Sequence, residues 1–307
     1  MTPATAKASS RGRFAPSPSG PLHFGSLLAA MGSYLQARQA GGEWLVRIED
    51  LDPPREVPGA ADAILLSLES HGFEWDGAVV YQSERGEYYA EALQQLTDQG
   101  LLFACECSRR EIADMTGHEP GGPYPGTCRE ARLADVPGRA LRFRVNHDVA
   151  CFDDMLQGRI CENVAETTGD FVLRRRDGLF AYQLAVVVDD ALQGITEVVR
   201  GCDLLDSTLR QIHVQKALGH SRPQYMHLPI VLNSEGHKLS KQTGAAALRD
   251  GEALATLLRA YRVLGQKEPE GRSPGTVTEF WNWAIKHWVP APLAGRRKFA
   301  APDPESG

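Results

Sequence analysis

The 307-residue chain is 42% apolar and 23% charged, with Gly and Pro spread along it, a composition that supports a large buried core in one or two domains and excludes a small scaffold stapled by disulfides. Its formal net charge of −6 offers phosphate no general attraction, so any nucleic acid has to be met by a local basic surface. The longest apolar run, Leu184 to Val188, is too short for a bilayer, and Met1 to Ser10 lacks the apolar centre of a secretory signal; the expectation is a cytoplasmic protein with no membrane partner.

Taken in chain order, Arg13 to Pro16 reads as a short strand broken by the loop Ser17-Pro18-Ser19-Gly20-Pro21. Leu27, Leu28, Met31, Tyr34 and Leu35 then recur at helical spacing, Gly41-Gly42 stops that helix, and Trp44 to Ile48 reads as a buried strand that turns out at Glu49-Asp50. These make one βαβ unit, whose parallel pairing and hand follow from strand twist. Ile64, Leu65 and Leu68 predict a helix over Ala60 to His71, and Tyr88, Leu93 and Leu96 one over Glu84 to Gln99. From Cys105 to roughly Asn146, cysteines, arginines and a Gly-Gly-Pro-Tyr-Pro-Gly loop replace periodicity, which is the texture of an insertion.

Beyond it, apolar and β-branched content predicts buried strands at Phe180 to Val188 and Ile195 to Arg200, joined by a turn at Asp189 to Gly194. Leu205, Leu209, Ile212 and Leu218 share one face of a helix over Leu204 to Leu218, and Tyr225 to Leu232 reads as a strand. The turn Asn233-Ser234-Glu235-Gly236 delivers His237-Lys238-Leu239-Ser240-Lys241. Helices at Ala253 to Leu264 and Thr276 to Trp288 precede a loose, Pro-rich end.

Cys105, Cys107 and Cys128 form a local cluster, which in a chain of this length with no export signal reads as metal ligation; Cys151, Cys161 and Cys202 read as isolated buried thiols. Candidate basic surface lies at Arg129, Arg132, Arg139, Arg142 and Arg144, at Arg174 to Arg176, and at Arg296, Arg297 and Lys298, against the plainer reading of solvated faces. The loop from Pro18 to Ser26 has Gly20 and Gly25, which let backbone approach a ligand, and the following helix offers unpaired N–H groups to a phosphate. His23 stands where an anionic nucleotide would lie, its alternative being a histidine on a helix cap. Lys238 and Lys241 put two ammonium groups beside a small hydroxyl residue, suited to charge developing on a leaving pyrophosphate.

Arg13-Phe14-Ala15-Pro16-Ser17-Pro18-Ser19-Gly20-Pro21-Leu22-His23-Phe24-Gly25-Ser26 resembles the opening of the class I glutamyl-tRNA synthetases, ending in a variant of their HIGH signature in which Phe24 and Ser26 replace the middle and last residues. Lys238 to Gln242 resembles their KMSKS loop. Arg47-Ile48-Glu49-Asp50-Leu51-Asp52 and Val199-Arg200-Gly201-Cys202-Asp203-Leu204-Leu205 match further blocks in the family's order.

The resemblance implies an α/β fold: a Rossmann-type parallel-sheet catalytic domain with an inserted zinc-bearing subdomain and a short C-terminal helical region. The divisions expected are a flexible tail at 1–11, the first half of the catalytic domain at 12–104, the zinc-bearing acceptor-type subdomain at 105–179, the second half at 180–225, the KMSKS-like loop and helical region at 226–297, and a flexible tail at 298–307. It also implies two-step chemistry, in which the α-carboxylate of L-glutamate attacks the α-phosphate of ATP and the acyl-adenylate passes glutamate to an RNA.

On that reading His23, Lys238 and Lys241 are catalytic, and His23, Gly25, Ser26 and Lys241 bind ATP, with Mg²⁺ accompanying the nucleotide. Arg13, Phe14, Ala15, Pro16 and Ser17 frame the glutamate; Glu49 meets its ammonium, and Arg13, Tyr182 and Arg200 its side-chain carboxylate. Outside the resemblance, Glu49 and Arg200 would read as surface ion pairs. A fork of such donors can reject glutamine by about 10⁴ to 10⁵.

Zinc prefers four ligands, and the glutamyl-queuosine branch of the family resembles this chain in a tyrosine four residues before the last cysteine, here Tyr124, with Cys105, Cys107 and Cys128. His118 is the alternative on general ligand chemistry. Only the stretch from Gln242 to Gly307 follows the lysine loop, and the expectation is that a large anticodon-reading domain is missing. The implied partner is then tRNA(Asp) bearing queuosine, with that base at the wobble position as acceptor. The rivals are a truncated glutamyl-tRNA synthetase charging a 3′ end and a non-catalytic RNA-binding paralogue.

Overall fold

The structure, a computed structural model, describes residues 10–119, 122–232, 236 and 247–300. It opens with the expected unit: β1 (Arg11–Phe14), α1 (Phe24–Gln39) and β2 (Glu43–Ile48), with β1 and β2 parallel and Arg13 opposite Leu45. On α1, Leu27, Leu28, Met31, Tyr34 and Leu35 are all buried, each aliphatic one contributing about 1.5–3 kcal/mol of burial.

Next come α2 (Ala60–Ser70), β3 (Val80–Tyr81), which extends the sheet beside β2, and α3 (Gly86–Asp98). The inner face of α3 is Tyr89, Leu93 and Leu96; Tyr88, expected there, is exposed, because Tyr89 is the tyrosine four residues before Leu93.

The inserted region has more order than its texture predicts. It holds β4 (Leu102–Cys105), α4 (Arg109–Thr116), β5 (Ala140–Phe143), the hairpin β6 (Ala150–Asp154) and β7 (Gly158–Glu162), α5 (Val164–Thr167) and β8 (Phe171–Arg174). Strands β4, β5 and β8 form an antiparallel sheet. Helix α4 starts with a reciprocal cap between Ser108 and Glu111, a pattern present in Ser108-Arg109-Arg110-Glu111 that sequence reading passed over.

Two expectations are overturned here. Phe180 to Val188 is not a strand: α6 spans Tyr182–Leu192, and Gln183 through Asp190 are buried. A helix buried on every side is apolar on every side, so period alone does not separate it from a buried strand. Nor are Cys151 and Cys161 isolated thiols. They face each other across β6 and β7 and form a disulfide. A hairpin pairs residues that the sequence separates by ten, and no local cluster marks that pair in the sequence.

The second half supplies β9 (Glu197–Gly201), α7 (Ser207–Leu218), β10 (Gln224–Leu228) and β11 (Ile230–Leu232). Strands β9 and β10 are parallel, and β10 meets β6 in parallel at Tyr225 and Asp154. Thr196 donates from its backbone N–H to the Arg11 carbonyl at 3.0 Å, which sets β9 beside β1. The strands therefore run β3, β2, β1, β9, β10, β6, β7, and the order reverses between β1 and β9. Open α/β sheets bind ligands at such a reversal, beyond the carboxyl ends of the strands.

Helices α8 (Ala253–Val263) and α9 (Val277–His287) cover α1, with Leu257, Tyr261, Phe280 and Trp281 in the same core as Trp44. Finally β12 (Lys298–Ala300) pairs with β11, so the expected tail at 298–307 begins with a strand. Among the described residues, no helix is long and apolar enough to cross a membrane.

Candidate active site

A cleft of about 1220 Å³ opens at the carboxyl ends of β1 and β2. Ala15, Ser17 and Glu49 line it, facing Tyr182 from the start of α6, while Cys107, Ser108, Arg109 and Arg142 line its wall on the inserted region. Among the expected glutamate residues, Phe14 is a core side chain stacked on Trp44 at 6.3 Å, and Pro16 holds Glu49 by accepting its N–H at 2.9 Å.

Arg13 and Arg200 lie beneath the cleft, 3% and 5% exposed, and each is fastened by groups that sequence reading missed. Arg13 donates twice to Asp190, through Nε at 3.1 Å and Nη2 at 3.2 Å. Arg47 lies 2.8 Å from the same carboxylate and 3.5 Å from Glu49. Asp189 accepts from Gln82, Arg85 and Tyr89. The signal available was the Asp189-Asp190 pair at the end of an apolar run, opposite arginines on two strands; assigning the pair to a turn after a strand hid it.

Arg200 donates from Nη1 to the Tyr182 hydroxyl at 3.3 Å, from Nη2 to Thr208 Oγ1 at 2.8 Å, and from Nε to His227 Nε2 at 3.0 Å. His227 Nδ1 in turn lies 2.6 Å from Asp154 Oδ2. Neither Asp154 nor His227 was singled out from the sequence.

Burial sets the ionisation of these groups. It pushes the Glu49 carboxyl above its usual range despite Arg47 and Arg13. It acts in the same direction on Asp190, but Arg13 and Arg47 outweigh it and hold that carboxyl below the usual range. Burial depresses His227 against the opposing pull of Asp154.

His23 caps α1, accepting at Nδ1 from the Ser26 N–H at 3.2 Å, with Nε2 3.0 Å from Ser26 Oγ; Gly25 lies between them in the first turn. His23 also bridges in antiparallel fashion to Ala247, and Leu248 donates to the Leu22 carbonyl at 3.0 Å. The described chain after the lysine loop therefore lies beside His23. Lys238, Lys241 and Gln242 fall outside the described residues.

The sulfur atoms of Cys105, Cys107 and Cys128 lie within 4.8 Å of one another. Tyr124 is buried beside them, its hydroxyl 3.5 Å from Cys105 Sγ and accepting the Cys128 N–H at 2.7 Å. A Cβ at Gly169, where φ is +70°, would come within 2.4 Å of the Tyr124 carbonyl, so glycine is what lets that loop pack so closely. His118 is exposed and stands outside the group. Three sulfur atoms at this spacing could serve one metal ion, and sulfur donors suit zinc. Of the arginines proposed as basic surface, Arg129, Arg139, Arg144 and Arg174 are paired with Asp170, Glu106, Glu130 and Asp135.

The family model for the catalytic domain of class I tRNA synthetases (E and Q) matches residues 10–256. The chain is 59% identical over 282 residues to a glutamyl-Q tRNA(Asp) synthetase of Dechloromonas aromatica, spanning 91% of this chain and 94% of that protein. It is 52% identical to one of Pseudomonas aeruginosa, spanning 90% and 92%. Among solved structures it resembles a glutamate-tRNA synthetase from Elizabethkingia anophelis, with a TM-score of 0.81 and 26% identity over 96% of this chain and 68% of that one. A glutamate tRNA ligase from Elizabethkingia meningosepticum shares the fold, with a TM-score of 0.79 at 24% identity over 95% and 67%.

Proposed function

The chain belongs to the catalytic-domain family of the class I tRNA synthetases for glutamate and glutamine, and on that footing we propose that it activates L-glutamate with ATP and transfers it to the queuosine base at the wobble position of tRNA(Asp). The acceptor rests on the two relatives whose names carry that activity and whose whole length this chain nearly spans. Activation rests on one observation: Glu49 and Tyr182 face a common cleft with Arg200 bonded to Tyr182 below it, opposite charges for the ammonium and carboxylate of one amino acid.

In this reading Glu49 binds the α-ammonium, and Tyr182 and Arg200 the side-chain carboxylate. Arg13, already engaged with Asp190, shapes the pocket with the backbone of Phe14 to Ser17. His23, Gly25 and Ser26 at the start of α1 cradle ATP with its Mg²⁺, and Lys241 with Lys238 neutralises pyrophosphate. The protein contributes position and charge, as transfer at phosphorus requires.

Residues 105–179 form the acceptor-side subdomain, in which Cys105, Cys107, Tyr124 and Cys128 hold a structural zinc ion, and the work is done in the cytoplasm. The purified chain should exchange pyrophosphate into ATP when given glutamate and no RNA. It should load tRNA(Asp) bearing queuosine and not the same tRNA without that base. Exchange that strictly required tRNA(Glu) would contradict the reading.

A further inference from the structure

We propose that Asp154 and His227 are positioning residues that hold the Arg200 guanidinium in one orientation and thereby set the preference for glutamate over glutamine; the inference rests on the glutamate reading above. Three neighbouring strands bring the groups together. Arg200 on β9 is directly opposite His227 on β10, and Asp154 is at the end of β6 beside Tyr225. Both the Asp154 and His227 side chains are fully buried.

The proton inventory orients the chain of bonds. Asp154 Oδ1 accepts from the backbone N–H groups of Leu156 and Gln157, both at 2.9 Å, and a carboxylate with those partners accepts only. The short contact from Asp154 Oδ2 to His227 therefore puts the imidazole proton on Nδ1. That leaves the Nε2 lone pair facing Arg200, where it takes the Nε–H.

With Thr208 on Nη2 and Tyr182 on Nη1, three of the five guanidinium N–H donors are committed within the protein. The two that remain belong to Nη1 and Nη2, a pair of donors matched to the two oxygens of a carboxylate. The amide of glutamine offers one acceptor and an opposing N–H donor. A guanidinium free to rotate could turn away from that clash; one fixed at three points cannot. A buried carboxylate hydrogen-bonded to a neutral imidazole is a weak source of stability, since apolar replacements of equal volume serve a core as well, so its orienting effect on Arg200 is the more specific consequence.

The test is glutamate-dependent ATP–pyrophosphate exchange by the full chain without RNA, comparing the unaltered protein with His227→Leu, His227→Gln and Asp154→Asn. His227→Leu should raise KM for glutamate about tenfold, lower the glutamate-over-glutamine ratio of kcat/KM by about as much, and leave KM for ATP within about twofold. His227→Gln offers Arg200 an acceptor and should recover most of the selectivity. Asp154→Asn keeps an acceptor for the backbone N–H groups of Leu156, Gln157 and His227 but turns an amide N–H toward His227 Nδ1, so it should move the imidazole proton to Nε2, take the acceptor away from Arg200 and show the same shift; it decides the matter if His227→Leu does not fold. Folded variants with unaltered selectivity, or with KM for ATP and kcat falling while selectivity holds, would overturn the proposal. Absence of glutamate-dependent exchange in the unaltered chain would instead overturn the glutamate reading itself.

Discussion

Arg13 and Asp190, 177 positions apart, form a two-bond ion pair whose side chains are 4% and 8% exposed, linking the end of β1 to α6 directly beneath the cleft. Arg47 shares the same carboxylate. Removing it with Asp190→Ala takes from Arg13 its carboxylate and from Arg47 the nearest of its three, leaving Glu49 and Asp189, and the expected cost is about 3–5 kcal/mol, read as a lower denaturant midpoint. Because the Asp190 carboxyl is held below its usual range, its stabilisation is present above the unfolded pKa of an aspartate and is lost as pH falls through the folded value. An Asp190→Asn chain should therefore lose less stability than the unaltered one on acidification.

Glu49 has the opposite sign. Burial raises its pKa, so its protonated form favours the folded state and its stabilising contribution is lost as pH rises through the folded value. In its proposed role the dependence runs the other way, since only a carboxylate would attract the glutamate ammonium. KM for glutamate should climb as pH falls through a range higher than an ordinary glutamate would give, with KM for ATP flat. Glu49→Gln should bind glutamate at least about tenfold more weakly and lose the pH dependence; a variant with the same rising profile would assign the titration elsewhere.

Tyr182→Phe tests the cleft-facing end of the Arg200 network. It deletes the hydroxyl that accepts from Nη1 and leaves that donor without its partner. The expected loss is about 1–3 kcal/mol in kcat/KM for glutamate, mostly in KM.

For the metal group, one zinc ion per chain is expected from elemental analysis of the purified protein. His118→Ala should retain full zinc, because that side chain is exposed and outside the cysteine group. Tyr124→Phe should lower zinc content, having lost the oxygen 3.5 Å from Cys105 Sγ. The reverse pattern would assign the fourth ligand to His118.

The parts of this arrangement that were readable in the sequence are local. Leu27 to Leu35 carry their helix in their spacing, and Arg13 to Ser26 carry a block that works as a contiguous loop and helix start. Cys105, Cys107 and Cys128 are clustered in the sequence itself, while Tyr124 was reached through the family resemblance and not through spacing. What was not readable depends on registers between distant strands. His227 meets Arg200 only because β10 pairs with β9, and Asp154 reaches His227 only because a hairpin from the inserted region joins the same sheet. Cys151 and Cys161 became partners through that hairpin too. The α6 error had a different origin, since complete burial removes the polar face that distinguishes a helix from a strand, and it concealed Asp189 and Asp190 with it.

If glutamate activated in this cleft passes to queuosine, the product ester lies in the anticodon loop. Queuosine-bearing tRNA(Asp) would be incubated with the chain, ATP and labelled glutamate, then cut so that the anticodon loop separates from the acceptor end. Label is expected in the anticodon fragment, absent when the tRNA lacks queuosine. Label at the 3′ end, independent of that base, would contradict it and identify a chain that charges tRNA in the ordinary way.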